Sequence, residues 1–218
     1  MPAPVSPPAL RAPRGRPPKP RPHGLDARTL LIRAGVAAMT EYGFAAAGLE
    51  RVLKAAGIPK GSFYYYFESK EAFALAVIEA YAAYFAARLE RLLGAASPSP
   101  LRRVHAFCAD AAAGLVKYDY RRGCLVGNLG LEIASLTPPL RAALQAVLAD
   151  WEARMAACLR EAQACGEIGP GIDAKAQATF FWTGWEGAIL RARLARELKP
   201  LRLFERLFLQ GLQAAGPA

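Results

Sequence analysis

Hydrophobic residues recur along this chain at intervals of three and four, the spacing that gathers them on one face of a helix. Leu31, Ala34, Ala38 and Tyr42 keep that spacing behind Asp26, which can cap a first turn, and Gly43 is placed to end the run. A second, short helix is predicted from Gly48 to about Ala55, with Leu49, Val52, Leu53 and Ala56 on one side. Gly57 then makes a turn, and Pro59 stands where a third helix can start without losing a hydrogen bond. That helix is expected to reach Phe67, with Phe63 and Phe67 inward. Ser69 opens a long fourth helix striped by Phe73, Val77, Tyr81 and Tyr84, ending at Gly94 and the breaker run Ser97-Pro98-Ser99-Pro100. Leu101, Val104, Cys108, Ala111 and Leu115 mark a fifth, and residues 120–137 are more irregular. Thr137 caps a helix from Pro138 to about Ala164, closed by Gly166; Asp173 caps another reaching about Leu198. A last helix carries Leu201, Phe204, Leu207 and Phe208. The pattern predicts an all-α protein of about nine helices with no convincing strand, a three-helix unit followed by a bundle.

Composition supports a globular body, with 54% apolar and 21% charged residues. The net charge of +10 is uneven. Residues 1–70 carry 11 Lys/Arg against 4 Asp/Glu, and residues 71–218 carry 17 against 14. A basic front on a near-neutral body points to a polyanion-binding module joined to something else. Residues 1–24 hold nine of the 17 prolines and five Lys/Arg with no acid, which predicts a flexible basic arm. No secretory pattern begins the chain, and the apolar stretch Ala72–Ala87 is interrupted by Glu79 and patterned like a core helix. The expectation is a cytoplasmic protein with no membrane span. Cys108, Cys124, Cys158 and Cys165 form neither a CxxC pair nor a ligand spacing with histidine, so no disulfide framework, metal or cofactor is expected. With only His23 and His105, no phosphate-binding glycine loop and no metal-binding helix motif, no catalytic residues are assigned.

Three short helices with a glycine turn between the second and third describe a helix-turn-helix, whose third helix enters the major groove of DNA. Three consecutive tyrosines cannot all be core in a helix, because neighbours point about 100° apart. At least one of Tyr64, Tyr65 and Tyr66 must therefore be exposed, where a phenol can donate to phosphate or pack on a thymine methyl. The stretch Gly48-Leu49-Glu50-Arg51-Val52-Leu53-Lys54-Ala55-Ala56-Gly57-Ile58-Pro59-Lys60-Gly61-Ser62-Phe63-Tyr64-Tyr65-Tyr66-Phe67, followed by Ser69-Lys70-Glu71, closely resembles the signature of the TetR family of repressors. The resemblance implies a helix-turn-helix domain over 25–70, with the motif at 48–67, and a ligand-binding and dimerisation domain over 71–218. It implies DNA contacts from Lys60, Ser62, Tyr64, Tyr65 and Tyr66, and a phosphate contact from Lys70. One departure stands out: Ala46-Ala47-Gly48 replaces the Thr or Ser with which the family begins its second helix, leaving those contacts to backbone N–H groups. In the arm, Pro13-Arg14-Gly15-Arg16-Pro17 resembles an AT-hook core, with Arg14 and Arg16 in a narrow A·T minor groove. The plainer reading is an arm that adds only salt-sensitive, sequence-independent affinity.

Two segments of the second half, Arg121 to Gly130 and Phe181 to Ala188, resemble a TetR subgroup that responds to acrylate and related electrophiles. The similarity spans most of residues 24–195, including Glu161-Ala162-Gln163-Ala164-Cys165-Gly166-Glu167. It implies a small-molecule effector and a sensing set of Arg121, Cys124, Asn128, Trp182, Trp185 and Glu186. A thiol near two arginines and a helix start has its thiolate favoured, and unsaturated acids are electrophiles for it; a buried apolar cysteine is the competing reading. Glu186 is hard to bury unpaired, and Arg121, Arg122 or Arg191 could meet it. Gly184, Gly187 and Ala188 with Leu190, Leu194, Leu198, Phe204 and Phe208 suggest a four-helix homodimer face. The expected partners are a palindromic DNA operator, an effector and a second copy of the chain. The competing function is an architectural DNA binder without a ligand switch.

Overall fold

The computed structural model describes residues 26–94, 96–132 and 137–214. The arm, with Arg14 and Arg16, lies outside them. Among the described residues the chain forms nine α-helices and no strand. Helix α1 (Ala27–Ala47) starts as predicted, because the Asp26 carboxylate accepts from the Thr29 N–H at 3.0 Å and the Thr29 hydroxyl at 2.8 Å. It does not end at Gly43. The backbone breaks there (φ 79°, ψ −175°) and resumes for one more turn to Ala47. That turn exposes new N–H groups, and the Glu132 carboxylate accepts from Phe44 and Ala45, both at 2.8 Å.

Helices α2 (Leu49–Ala56) and α3 (Phe63–Tyr66) complete the first unit, and α4 (Lys70–Leu93) connects it to the rest. Ser69 caps α4 by accepting from the Ala72 N–H at 3.0 Å. By length and composition α4 is the one described helix apolar enough to cross a bilayer. Its stripe of Phe73, Val77, Tyr81, Phe85 and Leu89 is instead buried, against α1, α5 (Pro100–Lys117) and α7 (Pro138–Ala164). Proline at the start suits both α5 and α7, where its missing N–H costs nothing. Thr137 stands at the N-cap of α7, yet its buried hydroxyl makes no bond there.

The short α6 (Leu125–Gly130) fills part of the irregular stretch and packs on α1. Helix α8 (Ala174–Ala195) is capped by Asp173, which accepts from Lys175 and Ala176, and packs on α7 and α9 (Lys199–Ala214). The core joins Phe85, Phe107, Trp151, Phe181, Trp182 and Trp185 in one aromatic cluster, with Trp151 and Trp182 centroids 4.9 Å apart. Buried Arg103 closes one end, donating to the Leu93 carbonyl and pairing with Glu161.

The close approach expected of Gly184 between subunits is used within the chain. The Phe204 ring occupies the space a side chain at Gly184 would need. Ala188 and Phe208 are buried too, so the large apolar residues left outward on α8 and α9 are Phe180, Leu190, Leu194, Leu203 and Leu207.

Candidate functional site

The first candidate surface is α3 and the turn before it. Gly57 ends α2 in the left-handed region (φ 67°, ψ 29°), and the Ile58 N–H donates to Leu53 at 3.0 Å. Pro59 is extended, a 3-10 turn spans Lys60–Ser62, and only Phe63–Tyr66 is α-helical. The predicted helix from Pro59 to Phe67 is thus shorter. Phe67 has turned extended (φ −140°) so that Ser69 can cap α4. Phe63 and Phe67 are buried against Phe73, with centroids 5.5 and 5.0 Å from that ring. This apolar anchor leaves Tyr64 and Tyr65 outward, 65% and 85% exposed. Tyr66 and Ser62 are half-buried, and Lys60 and Lys70 are exposed. Lys60 stands 3.8 Å from Glu50, both largely in water, where such a pair adds little. Gly48 caps α2 without a side-chain bond, in keeping with the missing Thr or Ser.

The second candidate is a cavity of about 930 Å³ between α1, α4, α5, α8 and the start of α6. Tyr81, Phe107, Cys124, Trp182, Trp185 and Glu186 line its interior. Arg33, Arg91 and Lys117 stand exposed at its rim, while Arg88 is held by Asp110 at 2.6 Å. The Trp182 Nε1 and Glu186 Oε1 atoms are enclosed with no hydrogen-bond partner. Burial pushes the Glu186 carboxyl up to about 7.

The predicted sensing residues separate into two groups. Cys124, Trp182, Trp185 and Glu186 share the cavity. Arg121 and Arg122 do not meet Glu186; both face Glu41, at 3.8 and 3.9 Å, and Arg191 is exposed. The thiolate-favouring setting expected at Cys124 is therefore absent: burial, and then Glu186, hold its thiol well above the ordinary range. Asn128 leaves the cavity altogether. Its amide donates to the Met39 and Thr40 carbonyls at 3.1 and 2.8 Å and accepts from Arg193 at 2.8 Å. Arg193 also donates to the Arg121 carbonyl at 2.9 Å, and the Gly123 N–H donates to Thr40 at 2.8 Å. With Glu132, these residues tie the α6 segment and α8 to the end of α1, where the break at Gly43 leaves carbonyls before it and N–H groups after it to be satisfied. Sequence periodicity passes over Glu132 and Arg193, and it marks Tyr81 only as part of the buried stripe of α4. The only signal for the tie is Gly43 itself, a helix stop whose freed groups must be satisfied somewhere.

A buried-anchor helix-turn-helix joined through polar ties to a helical body with a cavity is the architecture of a DNA-binding regulator. Residues 31–77 match the family described as bacterial regulatory proteins, tetR family. Residues 100–208 match the tetracyclin repressor-like C-terminal domain. The chain is 47% identical to transcriptional regulator AcuR of Cereibacter sphaeroides, over 95% of each protein. It is 31% identical to the HTH-type transcriptional repressor NemR of Escherichia coli, over 81% of this chain and 88% of NemR. A crystal structure of regulatory protein TetR from Rhodobacter sphaeroides superposes with a TM-score of 0.82 at 49% identity, covering 84% of this chain and 97% of that one. The reduced form of E. coli NemR superposes with a TM-score of 0.80 at 28% identity, covering 89% and 100%. The chain belongs to the TetR family and is a DNA-binding transcriptional regulator of the repressor type.

Proposed function

We propose that this chain is a cytoplasmic homodimeric repressor, released from a palindromic operator when a small unsaturated acid or related electrophile enters the cavity. The observation that carries the reading is the cavity itself, enclosing unpartnered polar atoms of Trp182 and Glu186. A buried polar atom without a partner costs free energy that a ligand can recover. The basic rim suits an anion, which its exposed cations draw inward. Residues 25–70 read the DNA and residues 71–218 hold the effector and the dimer contact. Lys60, Ser62, Tyr64, Tyr65 and Tyr66 face the groove and Lys70 a phosphate, which their position around the buried Phe63 anchor supports. The arm adds affinity through Arg14 and Arg16. The effector works as a coupling free energy, since it must bind the DNA-free arrangement better than the DNA-bound one. A gel shift on the promoter region flanking its own gene, with and without acrylate, tests this. Retention of the shifted band at saturating acrylate rules acrylate out as effector, and retention across a panel of unsaturated acids and aldehydes defeats the reading.

A further inference from the structure

Cys124 stands at the N-cap of α6 with two donors on its sulfur. The Gly127 N–H lies 3.5 Å from Sγ and the Tyr81 hydroxyl 3.9 Å. Both would stabilise a thiolate once formed, but nothing keeps one standing. The thiol is buried and its arginine neighbours in sequence are turned to Glu41. The nucleophile must then be made when it is needed, and its proton must have somewhere to go.

Groups from each packed element can be weighed as that destination. From α4, Tyr81 is held protonated by burial, and Arg88 is committed to Asp110 of α5. Ahead of α6, Arg122 pairs with Glu41 of α1. From α8, Arg193 is bonded to Asn128 and to the Arg121 carbonyl. Glu186, also from α8, is the remaining group: the Asp110 and Glu41 carboxylates are held by arginines, whereas Glu186 has no ion-pair partner among the described residues. Its carboxyl presses against Gly127, where any side chain would collide with it, and one oxygen is enclosed and unpartnered.

We propose that Glu186 is the proton acceptor that arms Cys124 for addition to an α,β-unsaturated carbonyl compound, with the Tyr81 hydroxyl and the Gly127 N–H holding the sulfur's charge. The inference rests on the cavity being the effector site. The S–H bond breaks as its proton moves to a Glu186 oxygen, and the sulfur electron pair forms a bond to the β-carbon of the ligand. The displaced π pair moves to the α-carbon, which takes the proton back from Glu186. The sum is addition of S–H across C=C, with no oxidant or reductant. A carboxyl titrating at about 7 suits this task, because a general base acts best near the working pH.

The sign of one substitution separates this role from its alternative. As a mere negative neighbour Glu186 hinders thiolate formation, so Glu186→Gln would speed alkylation; as the base it is needed, and Glu186→Gln slows it. The experiment follows acrylamide addition to the full chain by peptide mass spectrometry, with exposed Cys165 as internal reference. Glu186→Gln is expected to slow adduct formation at Cys124 by about 100-fold or more while Cys165 is unchanged. Glu186→Asp should recover part of the rate, and the wild-type rate should level off above about pH 7. An unchanged or faster rate at Cys124 in a Glu186→Gln protein of normal melting temperature overturns the proposal. Operator release by acrylate is measured in parallel. Release with no adduct at Cys124 overturns the proton relay and leaves the effector reading intact. A Glu186-dependent adduct without release by any unsaturated compound defeats the effector reading and leaves the relay.

Discussion

Phe63 and Tyr65 stand two positions apart in one helical turn and do opposite things. Phe63 has no exposed surface and touches Phe67 and Phe73; Tyr65 is 85% exposed. Phe63→Ala should therefore destabilise the protein by about 3–5 kcal/mol in urea unfolding, through lost burial and a residual cavity. Tyr65→Ala should leave stability within about 0.5 kcal/mol. Its effect belongs to operator affinity, a loss of about 1–3 kcal/mol if its ring contacts a base edge. Glu186 gives a second residue-scale prediction. Its folded-state pKa is raised from 4.5 to about 7, so the folded protein holds a proton that the unfolded chain releases. That contribution is fully present below about pH 4.5 and is lost as pH rises through about 7. Unfolding midpoints of wild type and Glu186→Gln should diverge across this window, with the glutamine variant gaining relative stability as pH rises. Parallel midpoints would show that Glu186 is not enclosed as described.

Among the elements, the six-residue α6 and the residues just after it hold α1 by polar contacts far away along the chain. Asn128 and Glu132 reach back some 88 residues to α1, and Arg193 joins from α8. Cys124 at the start of the same helix lines the cavity, so a ligand that displaces it moves the segment that grips the DNA-reading unit. Asn128→Ala should cut the ratio of operator affinities without and with effector, a ratio of about 5–150 for ordinary allosteric coupling. An unchanged ratio would place the coupling elsewhere, as in the direct passage of α4 from cavity to helix-turn-helix. These elements also show what the sequence makes legible. The long helices declare themselves because each buries a continuous stripe, as α4 does with Phe73, Val77 and Tyr81, although its fourth member is Phe85 and not the expected Tyr84, which is exposed. The caps Asp26, Ser69 and Asp173 are equally local and equally readable. The ties of Asn128 and Glu132 are not, because polar residues in an irregular segment have no periodicity and their partners are backbone groups. The thiol of Cys124 misleads for the same reason: adjacency in sequence to Arg121 and Arg122 says nothing about which way those side chains turn.

At the scale of the whole molecule, the outward apolar residues of α8 and α9 bear on assembly. Phe204 and Phe208 pack on Phe180 and Phe181 of α8, so part of the surface expected between subunits already belongs to the core. Leu190, Leu194, Leu203 and Leu207 remain 43%, 78%, 45% and 54% exposed on the two helices. Two helices from each of two chains, meeting through these leucines, would make a four-helix contact. A two-fold pair presents its reading helices about one DNA turn apart, roughly 34–36 Å or a multiple, which one chain cannot do. Leu194→Glu tests the arrangement because Leu194 contributes little to the core of its own chain. In a symmetric interface each substitution is met twice, and two desolvated carboxylates without partners oppose association strongly. The variant should run as a folded monomer by light scattering, keep its helical circular dichroism, and lose binding to the full palindrome. Sequence-independent affinity should persist, since the basic front half is untouched and its attraction to phosphate is a property of each chain. A Leu194→Glu protein that remains dimeric and binds the operator as wild type does would move the contact off this face.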